Sequence, residues 1–211
     1  MTEHDHGFSD PPPSLLSRFV RWIILWVYRW KGWQLEGGLP DTRKFVIAGA
    51  PHTSNWDFVF FVGATEKLGI KPSFMGKNTL FKWPMTRFML DMGGVPVDRS
   101  KRANYVDQIA AEFARRDELA LVIAAEGTRG SNGEWRSGFY HIAQAAGVPI
   151  VPAWVNNRTM QLGFGPAITP SGDYAADLGK IADYLLSKVP DEPRFKQLAA
   201  QVKRLKEASD D

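Results

Sequence analysis

The chain predicts an α/β fold: a mixed, mostly parallel sheet flanked by helices, with an N-terminal interfacial amphipathic helix ahead of it. Three observations carry that expectation. Short continuous apolar runs such as "KFVIAGA" (44–50), "ELALVIAA" (118–125) and "VPIVPAWV" (148–155) recur along the chain. Longer stretches of helical character alternate with them, as in a sheet whose two faces are both covered. Residues 14–33, finally, combine arginines with four tryptophans in one helical segment.

Taken in order, residues 1–13, "MTEHDHGFSDPPP", read as a disordered leader stopped by a proline run. Its charges are mixed and no apolar region precedes a small-residue cleavage site, so it does not read as a signal peptide. "SLLSRFVRWIILWVYRWKGW" (14–33) reads as a helix with Ser14 as N-cap and Gly32 as its stop. Its longest uninterrupted apolar run, Trp22 to Tyr28, is far short of the roughly 20 residues that cross a bilayer. A core helix is one reading. The other is a membrane-interface helix, its rings at headgroup level and Arg18, Arg21, Arg29 and Lys31 near lipid phosphates.

Residues 34–211 then read as a single α/β domain. "KFVIAGA" is a buried strand, "WDFVFFVGATEKLG" (56–69) a helix ended by Gly69, and "PSFMGK" (72–77) a second strand. "LFKWPMTRFMLDMGG" is a broken helix pair, because Pro84 cannot continue a helix begun at Leu80. "VPVDR" is a short strand end, "RANYVDQIAAEFARRD" an amphipathic helix and "ELALVIAA" the strongest strand. "SGFYHIAQAAG" is a helix, "VPIVPAWV" a strand, and "TMQLGFGPAI" an edge strand or hairpin. Two helices, divided near "VPDEP", finish the chain.

Composition narrows the chemistry. With 211 residues there is enough chain for a substantial core. The absence of cysteine removes thiolate nucleophiles, disulfides and zinc–thiolate sites. A net charge of +3 gives little support for binding nucleic acid.

Active sites in open α/β sheets form where strands end and loops begin, and the notable polar residues fall at such points. In "APHTSNWDF" (50–58), His52 follows a strand and Asp57 enters a helix. A carboxylate on one ring nitrogen fixes the tautomer and stabilises the imidazolium, leaving the other nitrogen to take a proton from an alcohol. Asp57 also stands at capping-box spacing from Ser54, which would make it a capping carboxylate. No G-x-S-x-G elbow supplies a serine nucleophile, so the pair points to direct deprotonation of a substrate hydroxyl. Spacing of this kind is weak by itself. Glu126-Gly127-Thr128-Arg129 follows the strongest strand: Arg129 can fork onto a phosphate, Gly127 allows close backbone approach, and Glu126 can bond a hydroxyl or hold the arginine. A structural salt bridge is the competing account. Lys77 and Arg99 follow two further strands, so three cations stand at comparable junctions, together suggesting a base beside a phosphate monoester.

"HTSNWD", "GGVPVDR", "EGTR" and "VPIVPA" occur in the order and approximate spacing of four motifs, and over residues 45–170 the chain resembles the glycerophospholipid acyltransferases, the lysophosphatidate acyltransferase-like enzymes. "EWRSGFYHIAQAAGVPIVPAWV" resembles a small, compact bacterial branch of that family. The resemblance implies His52 as base assisted by Asp57. It implies Arg99, Glu126 and Arg129 at the acceptor's phosphate or glycerol, with Lys77 as helper and Pro152 on the acyl-donor side or structural. The expected partners are a lysophospholipid acceptor such as 1-acylglycerol-3-phosphate and an acyl-CoA or acyl carrier protein donor. No cofactor or metal is implied. Attachment is expected to be peripheral or monotopic, on the cytoplasmic face of the inner membrane. The chain departs from the family pattern at Ala124 and Ala125, where a proline normally precedes the glutamate, at Gly130, and at Pro96 and Val97; these positions bear on acceptor identity more than on reaction type. A non-catalytic lipid-binding module of the same fold and an acyl-thioester hydrolase are the rival readings.

Overall fold

A computed structural model describes residues 12–51, 56–97, 105–127 and 131–210, and gives the side chains of those residues except 56–58, 77, 80 and 210. Seven strands make one sheet: β1 (Gln34–Glu36), β2 (Lys44–Ala50), β3 (Pro72–Lys77), β4 (Gly94–Val97), β5 (Leu119–Ala124), β6 (Ile150–Asn156) and β7 (Gln161–Phe164), in the order β1-β7-β6-β2-β5-β3-β4. From β6 to β4 every pairing is parallel. β7 returns antiparallel to β6, and β1 runs parallel to β7. The sheet is thus mixed and mostly parallel, as expected. Two details differ from the sequence reading. The three-residue β1 carries too little apolar pattern to be seen in sequence, and its presence makes β7 an inner strand of a hairpin rather than an edge.

The helices are α1 (Leu15–Trp30), α2 (Trp56–Lys67), α3 (Thr86–Asp91), α4 (Tyr105–Arg115), α5 (Gly138–Ala146), α6 (Tyr174–Lys188) and α7 (Pro193–Asp210). Consecutive strand residues point to opposite faces, and β2 shows why its run has no polar alternation. Val46 and Ala48 pack under Phe113 of α4, Phe139 of α5, Leu178 of α6 and Phe195 of α7, all in one core. Phe45 and Ile47 face the other way, into a second core with Tyr28 of α1 and Phe60 of α2. The broken helix pair around Pro84 resolves into a 3-10 turn, Asn78–Phe81, and the short α3.

α1 begins where Ser14 accepts a hydrogen bond from the Ser17 amide, 3.2 Å. Its N-terminus is fastened to α3 by Asp91, which accepts from the Ser14 amide (2.9 Å) and the Ser17 hydroxyl (2.7 Å) and pairs with Arg87 (2.9 Å). Burial opposes ionisation of Asp91, but these donors outweigh it and hold its carboxyl below the ordinary value. The inner face of α1 buries Ser17 and Tyr28 against the body, and Tyr28 fills the space left by the missing side chain of Gly63. Leu15, Phe19, Trp22, Trp26 and Trp30 stay exposed on the opposite face. Arg21 departs from its expected lipid-facing role: it lies beside the packed face and pairs with Glu66 of α2, while Arg18, Arg29 and Lys31 remain exposed. Among the described residues no helix is long and apolar enough to cross a membrane.

A buried polar network ties α5 to α6. Asp177 accepts from the Tyr140 hydroxyl (3.0 Å), from the amide and hydroxyl of Ser171 (2.6 and 2.8 Å) and from Lys180 (2.8 Å). Burial pushes its carboxyl up, but Lys180 and the other donors win, leaving it at about 2 against an ordinary 3.8. A depressed folded value stabilises the native state above the unfolded value and loses that stability as pH falls through the folded one. Asp177 should therefore contribute about 2 kcal/mol at neutral pH, declining from about pH 4 toward pH 2. Urea unfolding of wild type and Asp177→Asn across that range should show their stability difference shrinking as pH falls.

Candidate functional site

Parallel pairing places the carboxyl ends of β2, β5, β3 and β4 along one edge of the sheet. Register sets Gly49 of β2 opposite Ala124 of β5, and Lys77 of β3 opposite Val97 of β4. His52, Glu126 and Arg99 each follow one of these ends by two residues in the chain, and Lys77 is itself the last residue of β3. His52, Arg99, Thr128 and Arg129 lie outside the described residues, as does Ser54. Asp57 is the second residue of α2, and its side chain and that of Lys77 are likewise not among those described.

Along this edge lies a cavity of about 970 Å³, at the upper end of the size of small-molecule pockets. Its walls are apolar and come from both sides of the sheet: Ile47 and Val122 from the strands, Phe61 from α2, Phe139 and Ile142 from α5, and Trp154 from β6. Pro51, the residue before His52, is buried and lines it. Pro152 sits within β6 opposite Ala48, and the two residues after it, Ala153 and Trp154, reach the cavity.

One end of the cavity is polar. Among the described residues Arg136 is the single charged side chain that lines it. Gly127 makes room for that guanidinium: its φ is +77°, and a Cβ there would sit 3.0 Å from Arg136 Cδ and Nε. The Gly127 amide donates to Ala124 O at 2.9 Å, so this amide is committed to the turn rather than presented to an oxyanion. The Arg136 amide donates to Ala125 O at 3.0 Å, which holds the arginine's backbone beside the end of β5.

Glu126, between two residues that line the cavity, is 1% exposed. Its Oε2 accepts from the Ser131 hydroxyl at 3.1 Å and from Arg194 Nη1 of α7. Its Oε1 is buried with no hydrogen-bond partner among the described residues. A buried carboxylate normally uses both oxygens, and residues 128–130, which follow Gly127, lie outside the described ones. Of the expected site residues, Gly127 lines the cavity, and Glu126 stands beside it in the chain with its side chain buried. The structure adds Arg136 and Arg194, which sequence reasoning did not single out. Arg136 stands in "EWRSG", directly before a helix start, which is a readable signal; Arg194 lies 68 residues from Glu126 and has none. No group of His, Asp or Glu among the described residues is arranged to hold a metal ion.

The site is thus an apolar cavity at the carboxyl edge of a parallel sheet in an α/β protein, with the exposed Arg136 guanidinium in its lining and the buried Glu126 between the lining residues Ala125 and Gly127. The fold is similar to that of the 1-acyl-sn-glycerophosphate (LPA) acyltransferase PlsC from Thermotoga maritima, with a TM-score of 0.56 and 17% identity over 83% of this chain and 81% of that one. The Acyltransferase family model matches residues 36–156, more than half of the chain, and the chain belongs to that family. It is 30% identical over 125 residues to the 1-acyl-sn-glycerol-3-phosphate acyltransferase of Saccharomyces cerevisiae, covering 56% of this chain and 40% of that protein. It is 31% identical over 118 residues to the enzyme of that name from Salmonella typhimurium, covering 52% and 46% respectively. The chain therefore spans less than half the length of these two curated relatives.

Gly127→Ala tests the polar end. A side chain at this positive φ costs about 1–2 kcal/mol and displaces Arg136, so denaturant unfolding should show a loss of that size.

Proposed function

We propose that the chain is an O-acyltransferase that moves a fatty acyl group from an acyl thioester to the hydroxyl of a lysophospholipid, with 1-acylglycerol-3-phosphate as acceptor. The carrying observation is the apolar cavity along the strand ends, with Arg136 and Gly127 in its lining, the buried Glu126 next to Gly127 in the chain, and Pro51, next to His52, in its wall. An acyl chain fits apolar walls, while a glycerol hydroxyl and a phosphate need an acceptor and a cation. The names of the relatives point to the same chemistry.

In this reading His52 takes the proton of the acceptor hydroxyl as its oxygen attacks the thioester carbonyl. Asp57 steadies the imidazolium that results. The tetrahedral intermediate collapses, the C–S bond breaks, and the proton passes from His52 to the departing thiolate of coenzyme A or acyl carrier protein. Thioester and alcohol become ester and thiol, with no further reactant. Glu126 Oε1 accepts from a glycerol hydroxyl. Arg99, Arg129 and Lys77 bind the phosphate, joined by Arg136.

Membrane attachment belongs to the same proposal. The exposed face of α1 presents Leu15, Phe19, Trp22, Trp26 and Trp30, and exposed Arg18, Arg29 and Lys31 can meet anionic headgroups. Through the Asp91 fastening, α1 lies beside a second exposed apolar group: Trp83, 91% exposed, with Met85 and Leu90. Both would lie in a lipid interface, without spanning it.

Thiol release from a long-chain acyl-CoA, with and without lysophosphatidate, tests the reaction, with mass spectrometry identifying the lipid product. Release should depend on the acceptor, and His52→Ala should lower it about a hundred- to ten-thousand-fold. Release without acceptor would make the protein a thioester hydrolase, and silence with every acceptor and donor would favour a lipid-binding module. A Trp22→Ser/Trp26→Ser variant should sediment less with anionic vesicles than wild type; equal sedimentation removes α1 from the interface.

A further inference from the structure

Residues 193–210 lie outside the stretch the family model matches, yet α7 holds Glu126 and the segment leading into Arg136 at four points. Arg194, in its first turn, pairs with buried Glu126. Gln201 forms a reciprocal pair with the Trp135 backbone, accepting from its amide and donating to its carbonyl, each at 2.8 Å. Arg204 pairs with Glu134 at 2.6 Å. Gly133 lies against the helix so closely that a Cβ there would be 2.9 Å from Arg194 Cα. The helix is itself anchored in the core by Phe195 and Leu198, both 0% exposed, and by Val202.

We propose that α7 braces the acceptor side of the site, with Arg194 as a positioning residue for Glu126 and Gln201 as one for Arg136. A carboxylate removed from water is tolerated only when paired or hydrogen-bonded, and Arg194 supplies that partner to Oε2. Arg194 Nη1 occupies that oxygen and, with Ser131, fixes the carboxylate's rotation, which leaves Oε1 as the acceptor for substrate. Gln201 acts one step further along. Its amide locks the backbone at Trp135, whose neighbour Arg136 carries the guanidinium that lines the cavity. Acceptor affinity is therefore set in part by a helix that, among the described residues, contributes nothing to the cavity wall.

This inference rests on the acyltransferase reading for its kinetic half only, and the tests keep the two apart. Hydrogen exchange at the Trp135 and Arg136 amides reads the brace without any substrate. Arg194→Ala and Gln201→Ala should each accelerate it, and wild-type exchange in both variants would overturn the brace. In acyl-CoA and lysophosphatidate kinetics, Arg194→Ala should raise the acceptor KM about tenfold or more, the loss of a hydrogen bond to a charged partner. The acyl-CoA KM should stay within about twofold, and Arg194→Lys should recover part of the loss because it keeps the charge without the fork. Equal shifts in both KM values, or none, would overturn the positioning role. If Arg194→Ala fails to fold, Arg194→Lys and Gln201→Ala decide by the same measurements. Wild type and His52→Ala run alongside: a wild type with no acceptor-dependent release defeats the acyltransferase reading, and the brace is then decided by exchange alone.

Discussion

Parallel alignment of β6, β2, β5, β3 and β4 is the constraint on which the rest of the structure depends. Parallel neighbours require a crossover between them, and crossovers cover both faces of the sheet. One face receives α4, α5, α6 and α7, the other α1 and α2. The same alignment gathers five strand ends at one edge, so loops that are far apart in sequence meet there. The cavity lies at that edge, lined by strand residues and by side chains of α2 and α5. What lies around it is then a matter of loop residues.

Electrostatics governs the second level. Three buried or nearly buried carboxylates, Asp91, Asp177 and Glu126, occur where two elements must be joined. Each is surrounded by donors, because a carboxylate removed from water is tolerated only when hydrogen-bonded or paired. Asp91 joins α1 to α3, and Asp177 joins α5 to α6. Glu126 joins β5 to α7, but it alone keeps an unpartnered oxygen among the described residues. The first two are fully employed in holding the fold.

The outward face of α1 has a different logic. Five large apolar side chains in a regular stripe remain exposed although the helix is well packed on its other side. Water disfavours that face by roughly 25 cal/mol for each Å² of apolar area, so lipid is a favourable medium for it. The Asp91 fastening keeps the stripe at a set angle to α3 and hence to the body carrying the site.

Sequence alone determined the fold class and most element positions, because they are local. Continuous apolar runs mark strands buried on two faces, Ser14 starts a helix with its own side chain, and Pro84 interrupts one wherever it stands. It also located the strand ends, and so the edge of the sheet on which Glu126 and Gly127 fall. β1 escaped because three residues carry no period, and Arg21 because its partner, Glu66, lies on another helix. Only the tertiary structure decided which side chains share a space: the cavity beneath the strand ends, Arg136 beside Gly127, and Arg194 against Glu126. The reason is physical. Propensity and periodicity act over a few residues, whereas a carboxylate's partner is chosen by desolvation, which selects whatever cation the packed chain brings within reach.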